Sequence, residues 1–143
     1  MATLLELHDA VKARLETISG LRVFNHPPSR VSPPAAFMVL TDWEPTTMSR
    51  GGFKTYRFDV YVLTAESVRP QDGYHGLLEY ADSSGARSVE LAVWDGNDEQ
   101  AGTFADVPKA FARVATFRVL GQTEMDALQM YGGVFAVEIQ TRS

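Results

Sequence analysis

Cysteine is absent from this 143-residue chain, which excludes disulfides, thiolate nucleophiles and every zinc site built on sulfur. Long apolar runs are missing as well: no stretch approaches the roughly 20 residues that a membrane-spanning helix needs. The opening MATLLEL lacks the basic-then-apolar order of a signal peptide. No run of three or more basic residues occurs, and acidic side chains outnumber basic ones 18 to 13, for a formal net charge of −5. That excess repels a phosphate backbone unless a local basic patch overcomes it, so sequence-specific nucleic-acid binding is disfavoured. An acidic passage along which DNA slides without sticking is compatible with the same charge.

Motifs of catalysis are also lacking. There is no G-x-S-x-G elbow, no G-x-x-x-x-G-K-[ST] phosphate loop and no G-x-G-x-x-G turn. The only histidines are His8, His26 and His75. His8 falls at the rim of an apolar helix face, His26 precedes two prolines, and His75 stands four residues before Glu79 in a pairing typical of a solvated helix surface. None has the spacing of a metal site. Asp95, Asn97 and Glu99 alternate as an EF-hand loop opens, but Gln100 stands where that loop needs Gly, and Asp106 where it needs a long bidentate Glu. Ser83-Ser84-Gly85 reads as a turn between helices rather than an anion nest, and Arg50-Gly51-Gly52 as a loop tip rather than an RGG tract. The expectation is a protein that is not an enzyme, with no cofactor and no metal.

What is present has a globular balance, 45% hydrophobic and 22% charged, and the length suits one domain over residues 1–143. Leu4, Leu7, Val11, Leu15 and Ile18 share one helical face; Thr3 and Glu6 form a capping-box pattern and Gly20 a stop, predicting a helix over residues 4–19. Short strands are predicted at 21–24 and 36–41, flanking a proline-rich connector from Pro27-Pro28 to Pro33-Pro34. Tyr56, Phe58, Val60 and Val62 alternate with Arg57, Asp59, Tyr61 and Leu63, the longest strand candidate, over 53–65. Tyr74, Leu77, Leu78 and Ala81 mark a helix, with a second, short one over 87–94; residues 95–105 read as a loop. A hairpin of strands at 113–120 and 134–141 closes the chain. The fold class is α+β: a mostly antiparallel sheet of about five strands packed against an N-terminal helix and two central helices.

Two stretches read as long loops, 43–52 and 121–133. Between them they carry Trp43, Met48, Met125, Leu128, Met130 and Tyr131, and Arg50 lies on the first with Phe53 just past its end. Large apolar side chains on loops are costly in water unless something covers them, and methionine adapts to irregular partners. These eight residues are the candidate protein interface.

The pattern resembles the tail terminator proteins of bacteriophages with long, non-contractile tails, especially those of actinobacteria. The likeness rests on the opening helix ending in Ser19-Gly20-Leu21-Arg22-Val23, the connector running to Pro33-Pro34-Ala35-Ala36, the strand over 53–65, Asp82-Ser83-Ser84-Gly85-Ala86-Arg87-Ser88-Val89, and the terminal hairpin. The stretch over 121–133 departs from it by its length. The resemblance implies a virion protein, assembled in the bacterial cytoplasm, that forms a homo-oligomeric, six-membered ring. Such a ring sits on the tail tube protein, halts tube polymerisation and offers its other face to a head-completion or stopper protein. DNA passes through its lumen, and no membrane is involved. Another neck protein shares this logic. A small α+β enzyme or ligand-binding module is the alternative of a different class, with Arg57, Asp59 and Arg118 as its polar residues.

Overall fold

Alternation along residues 53–65 sets the architecture. The computed structural model of the protein describes residues 3–24, 34–45, 53–65, 70–125 and 128–142. In chain order the elements are α1 (Leu4–Leu15), β1 (Arg22–Phe24), β2 (Ala35–Pro45), β3 (Phe53–Ala65), α2 (Pro70–Ala81), α3 (Val89–Trp94), β4 (Asn97–Asp98), β5 (Thr103–Phe104), β6 (Val107–Pro108), β7 (Ala110–Met125) and β8 (Leu128–Arg142). The main sheet has the order β1-β2-β3-β8-β7, antiparallel except where β1 lies parallel to β2. The chain is α+β, as its periodicities predict.

Tyr56, Phe58, Val60 and Val62 point to one face of β3 and are buried with Ala36, Met38, Phe135, Val137 and Ile139 of the neighbouring strands. Leu7, Val11 and Leu15 of α1, Leu77 and Tyr80 of α2, and Val89 and Val93 of α3 complete that core. All three helices therefore cover the same side of the sheet. His8 sits half-buried at its rim, its ring edge-on to Phe58 at 5.9 Å. The Thr3 hydroxyl accepts the Glu6 N–H at 3.2 Å, as the capping pattern predicts.

Several boundaries differ from the sequence reading. Helix α1 stops at Leu15, because Thr17 and Ile18 donate to carbonyls only three residues back, at 3.2 and 3.0 Å, tightening the last turn; Ile18 stays buried and Gly20 takes φ +84°. The loop predicted over 95–105 carries two short strands, β4 and β5, which join β6 in a second, three-stranded sheet, β4-β5-β6. Its β5–β6 turn is made by Ala105 and Asp106, both at positive φ (46° and 67°), as a two-residue hairpin requires. The largest correction concerns residues 121–133. They are not a long loop: β7 runs on to Met125 and β8 begins at Leu128, with Met125 opposite Leu128, Thr123 opposite Met130 and Gln122 opposite Tyr131. Two register shifts, at Ala115 and Leu120, let these strands curl while staying paired.

At Gly133 the sheet packs closely against Phe117 and, in α2, Leu77. A Cβ there would fall 2.6 Å from Phe117 Cε2 and 3.1 Å from Leu77 Cδ1. The Phe117 ring is itself packed against Phe135 at 4.6 Å and cannot retreat freely. Gly133→Ala is expected to destabilise the fold by about 1–3 kcal/mol, read from the midpoint of urea unfolding.

Candidate functional site

The face of the sheet opposite the helices is buried at its Ala35, Phe37 and Leu63 end and exposed where Asp42, Glu44 and Arg113 stand. The register fixes its rows. Asp42, Arg57, Glu138 and Arg113 stand directly opposite one another on β2, β3, β8 and β7. Arg57 donates to Asp42 Oδ1 at 2.8 Å and to Glu44 Oε1 at 2.7 Å, and its Nε lies 3.5 Å from Glu138 Oε1. Glu138 accepts in turn from Arg113 at 3.0 Å. Charges thus alternate across the four strands, negative, positive, negative, positive, the arrangement that makes cross-strand pairs favourable. Hydrogen bonding to Glu44 first and Asp42 second raises the Arg57 pKa, so the guanidinium keeps its charge.

Further along the same face the row becomes Val39, Asp59, Ala136 and Thr116, then Phe37, Tyr61, Val134 and Arg118. Phe37 stacks on Tyr61 at 4.9 Å, beside buried Ala35 and Leu63, in a small second apolar cluster. Arg57, Asp59 and Arg118 do share this face, but Arg57 is committed to its carboxylates, and none of the three lines a described cleft.

The two edges of the sheet are treated differently. Three-residue β1 shields β2 only at Ala35, Ala36 and Phe37. On the other side, the Asn97 side chain imitates a strand: its Nδ2 donates to the Ala112 carbonyl at 2.7 Å, and the Ala112 N–H donates to its Oδ1 at 2.9 Å. The residue that the calcium pattern would have needed as a ligand is therefore spent on the β7 edge. Past Ala112, β7 has no strand partner on that side among the described residues. Arg118, Val119 and Leu120 are exposed there.

Of the eight interface candidates, Met48 and Arg50 lie outside the described residues. Trp43 is not on a loop but in β2, opposite Tyr56, with 53% of its surface exposed and the Lys54 Nζ 3.6 Å from its ring centroid. That ammonium shields one face of the indole. Phe53 opens β3 opposite Arg142. Met125, Leu128, Met130 and Tyr131 lie on strands, their side chains outside the described set, at the end of the sheet remote from Trp43. Trp43 pairs with Tyr56 and Tyr131 with Thr64 along β3, a separation of roughly 27 Å at an extended strand's rise. The structure thus gathers the candidates into two groups at opposite ends. Arg57, Arg113 and Glu138 all fall in predicted strands and Asp42 just past one, but which strands are neighbours, and hence the row, is not legible from local pattern.

Several polar groups elsewhere are engaged locally. Asp82 accepts from the Ser84 N–H, Ser83 donates to Glu90, and Ser88 caps α3, so the serine turn serves local structure. Glu79 pairs with Arg87 at 2.9 Å, not with His75. A cleft of about 420 Å³ between the β4–β5 turn and the start of β7 contains Asp98, Lys109 and Phe111. Its Asp98 Oδ1 already accepts two backbone N–H groups, from Gln100 and Ala101. Tyr80 is pushed above the ordinary phenol range by burial, with nearby Arg87 acting in the other direction. Among the described residues no three His, Asp or Glu side chains gather as a metal site, and no helix is long and apolar enough to cross a membrane. Comparison with family models finds none that matches the chain, and a search of curated proteins finds no match.

Two substitutions test this face and its edge. Arg57→Gln leaves Asp42, Glu44 and Glu138 without their shared cation; the melting temperature is expected to fall by about 2–6 °C at low ionic strength, and about 0.5 M salt to remove most of the difference. Asn97→Ala strips both backbone groups of Ala112 of their partners. It is expected to cost about 1–3 kcal/mol and to speed hydrogen exchange at the Ala112 amide more than at Val137, deep in the same sheet.

Proposed function

We propose that this protein is a structural virion component, a tail terminator that closes into a six-membered ring on the end of a phage tail tube. The ring stops tube growth and presents its far side to a head-completion or stopper protein, while DNA passes through its lumen unbound. The observation that carries the reading is the division of the candidate interface between the two ends of one long-stranded sheet, Trp43 and Phe53 at one and Met125, Leu128, Met130 and Tyr131 at the other. A terminator needs two unlike faces, one for the tube and one for the neck, and long strands spanning the subunit supply a rigid spacer between them. The sequence pattern of the family and the net charge of −5 support the same assignment, since a negative lumen would keep DNA from adhering. Closure into a ring in place of a filament requires a heterologous contact whose rotation closes.

The test is negative-stain imaging of the purified protein alone and with its tail tube subunit, alongside native mass spectrometry. Annular particles seated on tube ends, with shorter tubes as the protein is titrated in, are the expected result. Tubes that grow at the same rate and length with no particle at either end would sink the assignment.

A further inference from the structure

The charged row on the open face ends differently at its two margins. At the β2 margin two carboxylates, Asp42 and Glu44, share the single cation Arg57. At the β7 margin stand Arg113, which shares Glu138 with Arg57, and Arg118, which has no ion-pair partner among the described residues. Uncompensated charge is therefore negative at one edge and positive at the other. Shielding by β1 ends at Phe37, well short of Asp42, and shielding by Asn97 ends at Ala112, short of Arg113 and Arg118. Among the described residues, neither margin has a further strand paired to it beyond these points.

From this we infer that the occupant of each edge is a second copy of the same chain. The β7 edge of one protomer, through Arg113 and Arg118, docks on the β2 edge of the next, through Asp42 and Glu44. The inference rests on the ring reading above and identifies the surfaces that would build the ring. Strand direction agrees with it. Strands β2, β3, β8 and β7 alternate in direction, so β7 beside the next β2 is again antiparallel when copies are related by rotation about one axis. The alternation of charge continues as well: Arg113 shares a row with Asp42, so a junction without offset places positive against negative. Strands in a closed ring are tilted, which staggers rows across a junction, and Arg118, further along β7, reaches the acidic pair in a staggered register. The exposed Val119 and Leu120 beside it supply apolar area that a charged rim alone lacks.

Charge reversal tests the edges separately from the ring. Two variants are made in the full chain, Arg113→Glu with Arg118→Glu, and Asp42→Lys with Glu44→Lys. Each alone is expected to raise the concentration needed for ring assembly by about tenfold or more, since like charges then face each other at every junction. Mixed in equal amounts the two are expected to assemble near the wild-type concentration, because each junction again joins opposite charges, and native mass spectrometry should find the two chains in equal number. Circular dichroism melting checks that each variant is folded. Arg118→Ala, remote from every described ion pair, is the milder substitution and should raise the assembly concentration about threefold. Wild-type rings with both reversed variants assembling as readily as wild type, or with no rescue on mixing, would overturn the edge assignment and leave the terminator reading standing. A wild-type chain that forms no ring, alone or on tube ends, would remove both.

Discussion

A sheet with helices on one side only must make its other side acceptable to water or to a partner, and much of this molecule follows from that constraint. The helices α1, α2 and α3 all bury apolar side chains in the core that contains Tyr56, Phe58, Val60 and Val62, α2 lying on β3 and β8 and α3 on β7. The alternate residues of β3, on the face away from the described helices, are Arg57, Asp59, Tyr61 and Leu63. On a central strand an arginine has neighbours on both sides, and here both are carboxylates, Asp42 and Glu138. The resulting pairs are partly exposed, so each adds little to stability by itself. Their larger effect is on register, because a slip of one residue between β2 and β3 would bring the charged set to the core face.

Edges are the second consequence. A strand as long as β7, 16 residues, invites pairing with any passing chain. Part of it is closed by the Asn97 amide, part is twisted by the register shifts at Ala115 and Leu120, and part carries arginines. The small sheet β4-β5-β6 is best understood as the support that holds Asn97 in place. Its β5–β6 turn uses two non-glycine residues at positive φ, Ala105 and Asp106, and Lys109, also at positive φ, links β6 to β7. This small sheet is tied back to the helices through the Ala105 N–H, which donates to the Gly96 carbonyl at 2.8 Å, next to the end of α3.

Periodicity made the fold class and the long strand legible, since both are written in burial. The face of β3, the cap at Thr3 and the core positions Leu7, Val11 and Leu15 of α1 follow directly from spacing, whereas Leu4, assigned to the same helical face, is exposed. Turn chemistry was the weak point. The hairpin between β5 and β6 uses Ala-Asp in place of Asn-Gly, which leaves no short-range signal. Residues 121–133 contain three glycines, which read as a loop although strand pairing carries straight through Gly121, Gly132 and Gly133. Pro45 and the glycines after it suggest an early end to β2, which is why Trp43 reads as a loop residue although it lies in the strand. The candidate site was legible only as a set of residue types. Its division between two ends, and the charged row between them, depend on which strands are neighbours, and β8 inserting between β3 and β7 is a long-range pairing that local pattern does not encode.

An alternating row of even length has one negative end and one positive end, and this parity constrains how copies could associate. Two protomers meeting through the same edge, related by a twofold axis, would set Asp42 and Glu44 against their own counterparts, or Arg113 and Arg118 against theirs. Both arrangements face like charge with like, which costs several kcal/mol at a desolvated contact. Head-to-tail contact faces opposite charges at every junction and satisfies the ends of the row in all copies alike. The same distribution of charge that discourages edge-to-edge aggregation in pairs therefore favours a heterologous contact, the one kind that generates a ring when its rotation closes. In the proposed ring, closure depends on the angle between successive sheets, and the register shifts in β2 and β7 bend the two strands that would meet at each junction.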